Sequence, residues 1–498
     1  MRDHHVVARL FTSHRRLIAD GPMLGLVILA GSVLGGALVS CAAPADAVPQ
    51  DQAQAEAQVG APVGALWGNA LTRKIDSLAE ATLADGPVAA VSIGVKRGEE
   101  LLMAKGYGMA DVENAVRAKA ETVYRIGSVT KQFTAAAVMQ LVEEGEIGLD
   151  DPMTRFLPDF PTQGHEVTIR HLLTHTSGIR SYTGLEEWAP KITLDLTDQE
   201  LVALFSDEAF DFSPGEQFLY NNSGFYLLGM IIERASGESY REYVKAHLFE
   251  PLGLSGSLYC DEGPLIPWRA EGYETADGEL LNDAYLSMNQ PGAAGALCST
   301  VPDLLTWTAA LTSGGVVSPE SYAQMTTPYT LIDGSGTGYG FGLGVGEQGG
   351  HPRVAHGGGI NGFVTSLAHF PEADLDIVVL SNTEGGHPGQ MTELIAQWAL
   401  GIEVPMVLDL PLSPDELAMY EGVFEIRPEF ELSVTARGGQ LFTQATNQGE
   451  FRLRSQGDHN FVPTFDDEVR LVFVVEDGKA TTAVLHQGGQ VMEAPRIR

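Results

Sequence analysis

Ser128-Val129-Thr130-Lys131 sets a hydroxyl and an amine three residues apart. On a helix, residues i and i+3 share a face, so the Lys131 amine can reach the Ser128 oxygen. A serine hydroxyl is a poor nucleophile until a nearby base takes its proton. Lysine can be that base only where burial or a neighbouring cation disfavours its charged form. A serine in the first turn also lies beside free backbone N–H groups and the positive helix end, which suits a developing oxyanion. Alone, the pair is weak evidence: a chain this long holds roughly one S-x-x-K by chance, and a capping serine with a solvated lysine explains it better. Three further segments strengthen it. Tyr220-Asn221-Asn222 follows the turn Ser213-Pro214-Gly215 and precedes the apolar run Phe225–Ile232. His356-Gly357-Gly358 opens a glycine-rich stretch that leads into Phe363. Between the first two segments stands HLLTHTSGI, from His171 to Ile179.

The elements that must position these groups follow from periodicity. Val88–Val95, a turn at Arg97–Glu100 and Leu101–Gly106 read as a hairpin. From Ser128 to Glu144, Phe133, Ala137 and Leu141 recur at helical spacing, with Gly145 as the stop. A long helical and loop region runs to about residue 327. Val354–Ala355, Phe363–Phe370 and Asp376–Ser381 read as strands, and Gln390–Leu400 as a helix. Strands at both ends of the segment, with helices between, predict one mixed, mainly antiparallel sheet closed by distant parts of the chain, an α/β (α+β) sandwich. This hydrolase-like domain is assigned to 67–402. Pro405, Pro411 and Pro414 mark a linker, 403–414. Beyond it, short alternating runs separated by turns such as Gly438-Gly439 and Asp477-Gly478 predict about eight strands in a small antiparallel β-barrel, 415–498.

The 498 residues are 44% hydrophobic and 19% charged, which is a globular balance with material for large cores. Lys plus Arg is 30 and Asp plus Glu 65, a net charge of −35. With no basic stripe, nucleic acid is excluded as a partner. At the N-terminus Arg2, Arg9, Arg15 and Arg16 precede the uncharged run Met23–Val39. The run ends in Leu38-Val39-Ser40-Cys41, which looks like a bacterial lipobox with Cys41 as the lipidated residue. Cleavage after Ala45-Asp46-Ala47 and an uncleaved anchor are the other readings; all export the body of the protein. Residues 1–40 are therefore assigned as a signal segment and 41–66 as a flexible tether, rich in Ala, Gln and Pro. After export, Cys260 and Cys298 are an even pair in an oxidising compartment, which leaves a disulfide or two separate buried thiols open.

Taken together, S-x-x-K, HLLTHTSG, Y-x-N and H-x-G in this order resemble the serine β-lactamase and penicillin-binding-protein family, in the branch of class C β-lactamases, D-alanyl-D-alanine carboxypeptidases, D-aminopeptidases and related esterases. The resemblance spans about residues 70 to 400, and the C-terminal part is similar to a lipocalin-like barrel appended to some of these hydrolases. It implies a β-lactamase-like sandwich and these roles: Ser128 as nucleophile forming an acyl-enzyme, Lys131 as base or holder of the proton network, and Tyr220 as proton shuttle to the leaving group and deacylating water. Asn222 would bind the substrate amide and Lys131, Gly357 and Gly358 would line the substrate, and the N–H groups of Ser128 and Gly359 would form the oxyanion hole. His356 is placed with Ser128, Lys131 and Tyr220 in the catalytic set, and stands where many β-lactamases carry lysine. A neutral imidazole attracts a substrate carboxylate less than an ammonium does, which lowers the expectation of efficient β-lactam hydrolysis.

Other tempting residues have plainer readings. His171 and His175 sit at zinc-compatible spacing without a third ligand, so no metal or other cofactor is expected. Ser177 lacks an adjacent base and reads as a turn residue. Tyr182 is assigned to the substrate cleft, with an ordinary packed aromatic as the alternative. The barrel interior reads as side-chain core rather than a lipid site. The expected function is an exported serine hydrolase acting on short or D-residue-containing peptides, its partners being that small substrate and, through Cys41, the membrane. An esterase for small acyl esters and a non-catalytic β-lactam or peptidoglycan sensor are the alternatives; oligomeric state is not readable.

Overall fold

The computed structural model describes residues 63–261, 263–402, 409–427, 430–446, 449–464, 469–487 and 490–498. Cys41, the signal segment and all but the last four residues of the tether lie outside them. A first helix, α1 (Val63–Asp85), starts inside the segment assigned to the tether, ahead of Trp67. The hairpin β1 (Ala90–Arg97) and β2 (Glu100–Asp111) follows, then β3 (Val116–Arg117) and the helix α2 (Thr130–Glu143). Next come α3 (Asn222–Ser236) and α4 (Val301–Thr312). Strands β4 (Gly344–Gln348), β5 (His351–Ile360), β6 (Phe363–Phe370) and β7 (Leu375–Ser381) lead to α5 (Pro388–Leu400).

Among the described residues these strands form a seven-stranded sheet in the order β3-β2-β1-β7-β6-β5-β4. β1 pairs β7 with Val91 opposite Ser381 and Arg97 opposite Leu375, so the two ends of the domain close one sheet. Every pairing in it is antiparallel, in keeping with the mainly antiparallel sheet expected from the sequence. Alternation along β7 explains the two layers. Ile377 and Val379 face a core shared with Leu71 and Ile75 of α1 and Met391 and Ile395 of α5. Val378 and Leu380 face the opposite core, with α2, α3 and α4. There Phe133 stacks on Trp307 with ring centroids 3.9 Å apart, and the Trp307 indole N–H donates to Gln132 Oε1 at 2.8 Å. Each such ring, fully buried, contributes about 1.5–3 kcal/mol by transfer alone. That packing fixes α2, the helix whose first turn carries Lys131.

Two features bear directly on the site. β4 pairs with β5 only as far as Ala355, so His356–Ile360 is paired to β6 on one edge and has no strand on the other among the described residues. Cys260 and Cys298 form a disulfide with Cα atoms 5.2 Å apart. The bridged strand Leu297–Ser299 also pairs with Tyr124–Arg125, just before the nucleophile turn.

The C-terminal strands are β8 (Gly422–Arg427), β9 (Phe430–Arg437), β10 (Gln440–Ala445), β11 (Glu450–Gly457), β12 (Asn460–Pro463), β13 (Arg470–Glu476), β14 (Lys479–Gln487) and β15 (Gln490–Pro495). They pair in sequence order as an antiparallel sheet. The ends approach closure: the Ile497 N–H donates to the Val423 carbonyl at 2.8 Å, and Phe424 bridges to Arg496. Tyr420, Phe461 and Phe473 pack together in the interior, with Tyr420 and Phe461 centroids 4.8 Å apart.

Candidate active site

Ser128 sits in a single tight turn, Gly127–Val129, immediately ahead of α2. Gly127 is left-handed (φ +49°), and a Cβ there would come within 3.0 Å of both the Gly359 nitrogen and oxygen, so glycine is what the turn and the close approach of β5 require. The Leu297 strand holds the turn from behind: the Ile126 N–H donates to the Leu297 carbonyl at 3.0 Å, and the Leu297 N–H to Thr130 Oγ1 at 3.2 Å.

Lys131 is fully buried. Its Nζ lies 3.1 Å from Ser128 Oγ, 2.8 Å from Asn222 Oδ1 and 2.8 Å from the Ala294 carbonyl oxygen. The Asn222 amide is oriented by its Nδ2, which donates to Thr183 Oγ1 at 3.1 Å, and its backbone N–H donates to Ser181 Oγ at 3.2 Å. Burial pushes the Lys131 amine well below the ordinary lysine range. A neutral amine has two N–H donors and one lone pair. Two of its three partners, an amide oxygen and a carbonyl oxygen, can only accept. As an ammonium Nζ donates to all three; in its neutral form the lone pair is left for the Ser128 hydroxyl, the arrangement a general base requires.

Tyr220 keeps 37% of its surface open, and its hydroxyl hydrogen-bonds the Ser128 side chain. Burial of the hydroxyl end raises its pKa, with the Ser128 bond opposing. Its ring lies 4.7 Å from Lys131 Nζ. The raised phenol keeps its proton, and the Lys131 amine is the group whose charged form burial disfavours.

His356 differs from the sequence expectation. Its Nδ1 lies 2.6 Å from the Gly357 carbonyl, which can only accept, so Nδ1 carries the proton; its Nε2 then accepts from the Tyr339 hydroxyl at 2.8 Å. Burial, reinforced by Lys131, lowers its pKa to about 4. Both ring nitrogens are committed and the ring is neutral at pH 7, so His356 is a positioning residue for Tyr339 and β5 rather than a catalytic one. Tyr182 is also corrected: it is 2% exposed, its hydroxyl donates to the Gln290 carbonyl at 2.8 Å, and it packs behind the site instead of lining the cleft.

Gly357–Gly359 lie on the free edge of β5. The two-residue turn makes Ile360 and Phe363 the closing hydrogen-bonded pair, so Gly359, opposite Val364, turns its N–H and C=O away from β6, its backbone lying against Gly127. Gly358 has no room for a side chain: a Cβ would meet the Ile126 oxygen at 2.1 Å and Thr365 Oγ1 at 2.4 Å. Gly358→Ala must push β5 off the nucleophile turn, and is expected to lower kcat/KM about 100-fold in steady-state assays. Gly346→Ala on β4, where a methyl meets nothing within 4 Å, is the matched control.

His171 Nδ1 accepts from the Thr168 N–H and His175 Nδ1 from the Asn221 N–H, so both facing nitrogens serve backbone amides. Ser177 Oγ accepts from the Ile179 N–H within its turn. Sequence reasoning missed Tyr339 and the Ala294 carbonyl. A main-chain acceptor leaves no residue-type signal, and Tyr339 belongs to none of the four segments.

A family model described as Beta-lactamase matches residues 75–400. The chain is 26% identical over 430 residues to penicillin-binding protein 4* of Bacillus subtilis, covering 80% of this chain and 93% of that protein. Among solved structures it is similar to the octameric penicillin-binding protein homologue from Pyrococcus abyssi (TM-score 0.62, 28% identity, 85% of this chain and 99% of that one). It is also similar to a D-stereospecific amidohydrolase from Streptomyces sp. (TM-score 0.57, 27% identity, 66% and 98%).

Proposed function

The chain belongs to the beta-lactamase family and is a serine hydrolase of that type, and from this premise we propose that it cleaves amide bonds of short peptides or amides carrying a D-residue, through an acyl-Ser128 intermediate. The observation that carries the chemistry is the Lys131 amine, buried and 3.1 Å from Ser128 Oγ with its other two partners acceptors only. Lys131 takes the Ser128 proton as Oγ attacks the carbonyl carbon. The oxyanion is held by the N–H groups of Ser128 and Gly359. The proton passes through Tyr220 to the departing nitrogen as the C–N bond breaks. Water then attacks the acyl-enzyme with Tyr220 and Lys131 in the reverse roles, returning the proton to Ser128.

The likeness to a D-stereospecific amidohydrolase supports the substrate class. So does His356: with a neutral ring and both nitrogens committed, it offers no ammonium for a β-lactam carboxylate. Export, with Cys41 as a lipid attachment to the membrane, is part of the same proposal and is supported by the charged n-region and the run Met23–Val39. Parallel assays of D-alanine p-nitroanilide, p-nitrophenyl acetate and a chromogenic cephalosporin test it. Turnover of the anilide, with the cephalosporin cleaved at least about 100-fold less efficiently, is expected. Rapid ester turnover with no anilide cleavage would replace the peptidase reading with an esterase.

A further inference from the structure

His175, in the HTSG segment, has no role in the chemistry above, yet its ring packs directly against Tyr220. It is 1% exposed and left-handed (φ +58°), a conformation that costs a non-glycine residue energy and is kept where neighbouring structure demands it. Two hydrogen bonds show what demands it. The His175 carbonyl accepts the Leu219 N–H at 3.0 Å, and His175 Nδ1 accepts the Asn221 N–H at 3.1 Å. In an extended segment the amides of i and i+2 leave by the same edge. One residue therefore pins the chain on both sides of Tyr220, with its carbonyl before and its side chain after. Its ring also lies against the phenol itself, centroids 4.3 Å apart, and against Tyr339 at 4.8 Å and Phe225 at 5.0 Å. Because Nδ1 accepts, the ring proton is on Nε2, which is buried among these rings without a hydrogen-bond partner. A buried donor left unpaired is costly, which argues that the ring is kept for its contacts and its Nδ1.

We propose that His175 is the positioning residue of Tyr220: it sets the phenol at the distance from Ser128 at which a leaving group can be protonated, without touching substrate. This rests on the acyl-serine reading of the site. Two substitutions separate its two contributions. His175→Asn keeps an acceptor for the Asn221 N–H and tolerates positive φ but removes the ring; His175→Phe keeps the ring and removes the acceptor.

The test is made on the full chain with phenyl acetate, whose leaving group needs a proton, p-nitrophenyl acetate, whose leaving group does not, and fluorophosphonate labelling of Ser128. Expected for His175→Phe is a fall of about 100-fold in kcat/KM for phenyl acetate, against less than about 5-fold for p-nitrophenyl acetate; kcat/KM reads acylation alone, because both esters leave the same acetyl-enzyme. His175→Asn should recover about a tenth of wild-type phenyl acetate turnover. Both variants should label at close to the wild-type rate, because the Ser128–Lys131 pair is intact, and in a Tyr220→Phe background neither should cost more than about 2-fold further. Equal losses on both esters, loss of labelling, or full additivity with Tyr220→Phe would show a general structural role and overturn the proposal, as would wild-type kinetics in both variants. Wild type that does not label Ser128 would instead overturn the acyl-serine reading; wild type that labels but hydrolyses neither ester would leave Tyr220 no leaving group to serve and overturn both.

Discussion

Ser128→Ala is expected to lower kcat/KM by about five orders of magnitude and to abolish the single fluorophosphonate adduct expected on wild type by intact mass. The magnitude follows from what remains. Lys131 loses the hydroxyl that faces its lone pair but keeps Asn222 Oδ1 and the Ala294 carbonyl as acceptors. The backbone N–H groups of residue 128 and Gly359 stay in place, so binding and oxyanion stabilisation survive while the covalent step does not. A small buried-edge truncation at a turn held by glycine and by the Leu297 strand should leave the melting temperature close to wild type. An adduct that persists on the alanine variant would place the nucleophile elsewhere.

The second large effect belongs to Lys131. Arginine there has five donors, no lone pair and a permanent charge. Lys131→Arg should reduce acylation at least about 1,000-fold at every pH. In the wild type the same logic gives a pH dependence with a definite sign. Acylation needs the neutral amine, and burial holds the Lys131 pKa well below the usual lysine range. kcat/KM should therefore rise with pH through that lowered value and fall below it. His356, at about 4, would set a limb only in more acidic solution. Stability follows the same direction: between the folded and ordinary lysine values the unfolded chain binds the extra proton, so stability increases with pH across that window and is lost as pH falls. Lys131→Met should remove this slope from thermal melts. A flat profile from wild type, with no acidic limb, would mean that Lys131 is charged in the active enzyme and that another group is the base.

Much of this site was legible because its chemistry depends on side-chain types at fixed local spacing. Ser128 and Lys131 are one helical turn apart, and Tyr220 and Asn222 flank a helix start, so short-range pattern carries them. The hairpin β1–β2, the strands β6 and β7 and the eight barrel strands were legible for the same reason, since alternation and turn residues are local. What sequence did not show is where distant segments touch. His356 read as catalytic because its place in H-x-G is visible in the sequence and its partner is not; Tyr339 takes its Nε2 from 17 residues away. Tyr182 stands next to the HTSG loop in sequence, yet its hydroxyl points to the Gln290 carbonyl, 108 residues on. The Ala294 carbonyl, which does as much as Asn222 to set the Lys131 lone pair, has no residue-type signature at all.

The unpaired stretch of β5 has one more consequence. One wall of the cleft is main chain, from His356 to Ile360, and three of those five residues are glycine. Main chain offers the same donors and acceptors at every step and cannot distinguish one side chain from another. An enzyme that grips its substrate along such a wall reads length and handedness before identity. Breadth of diet is then a property of the architecture, and narrowing it would require changes in the loops opposite, not in the strand that holds the bond to be cut.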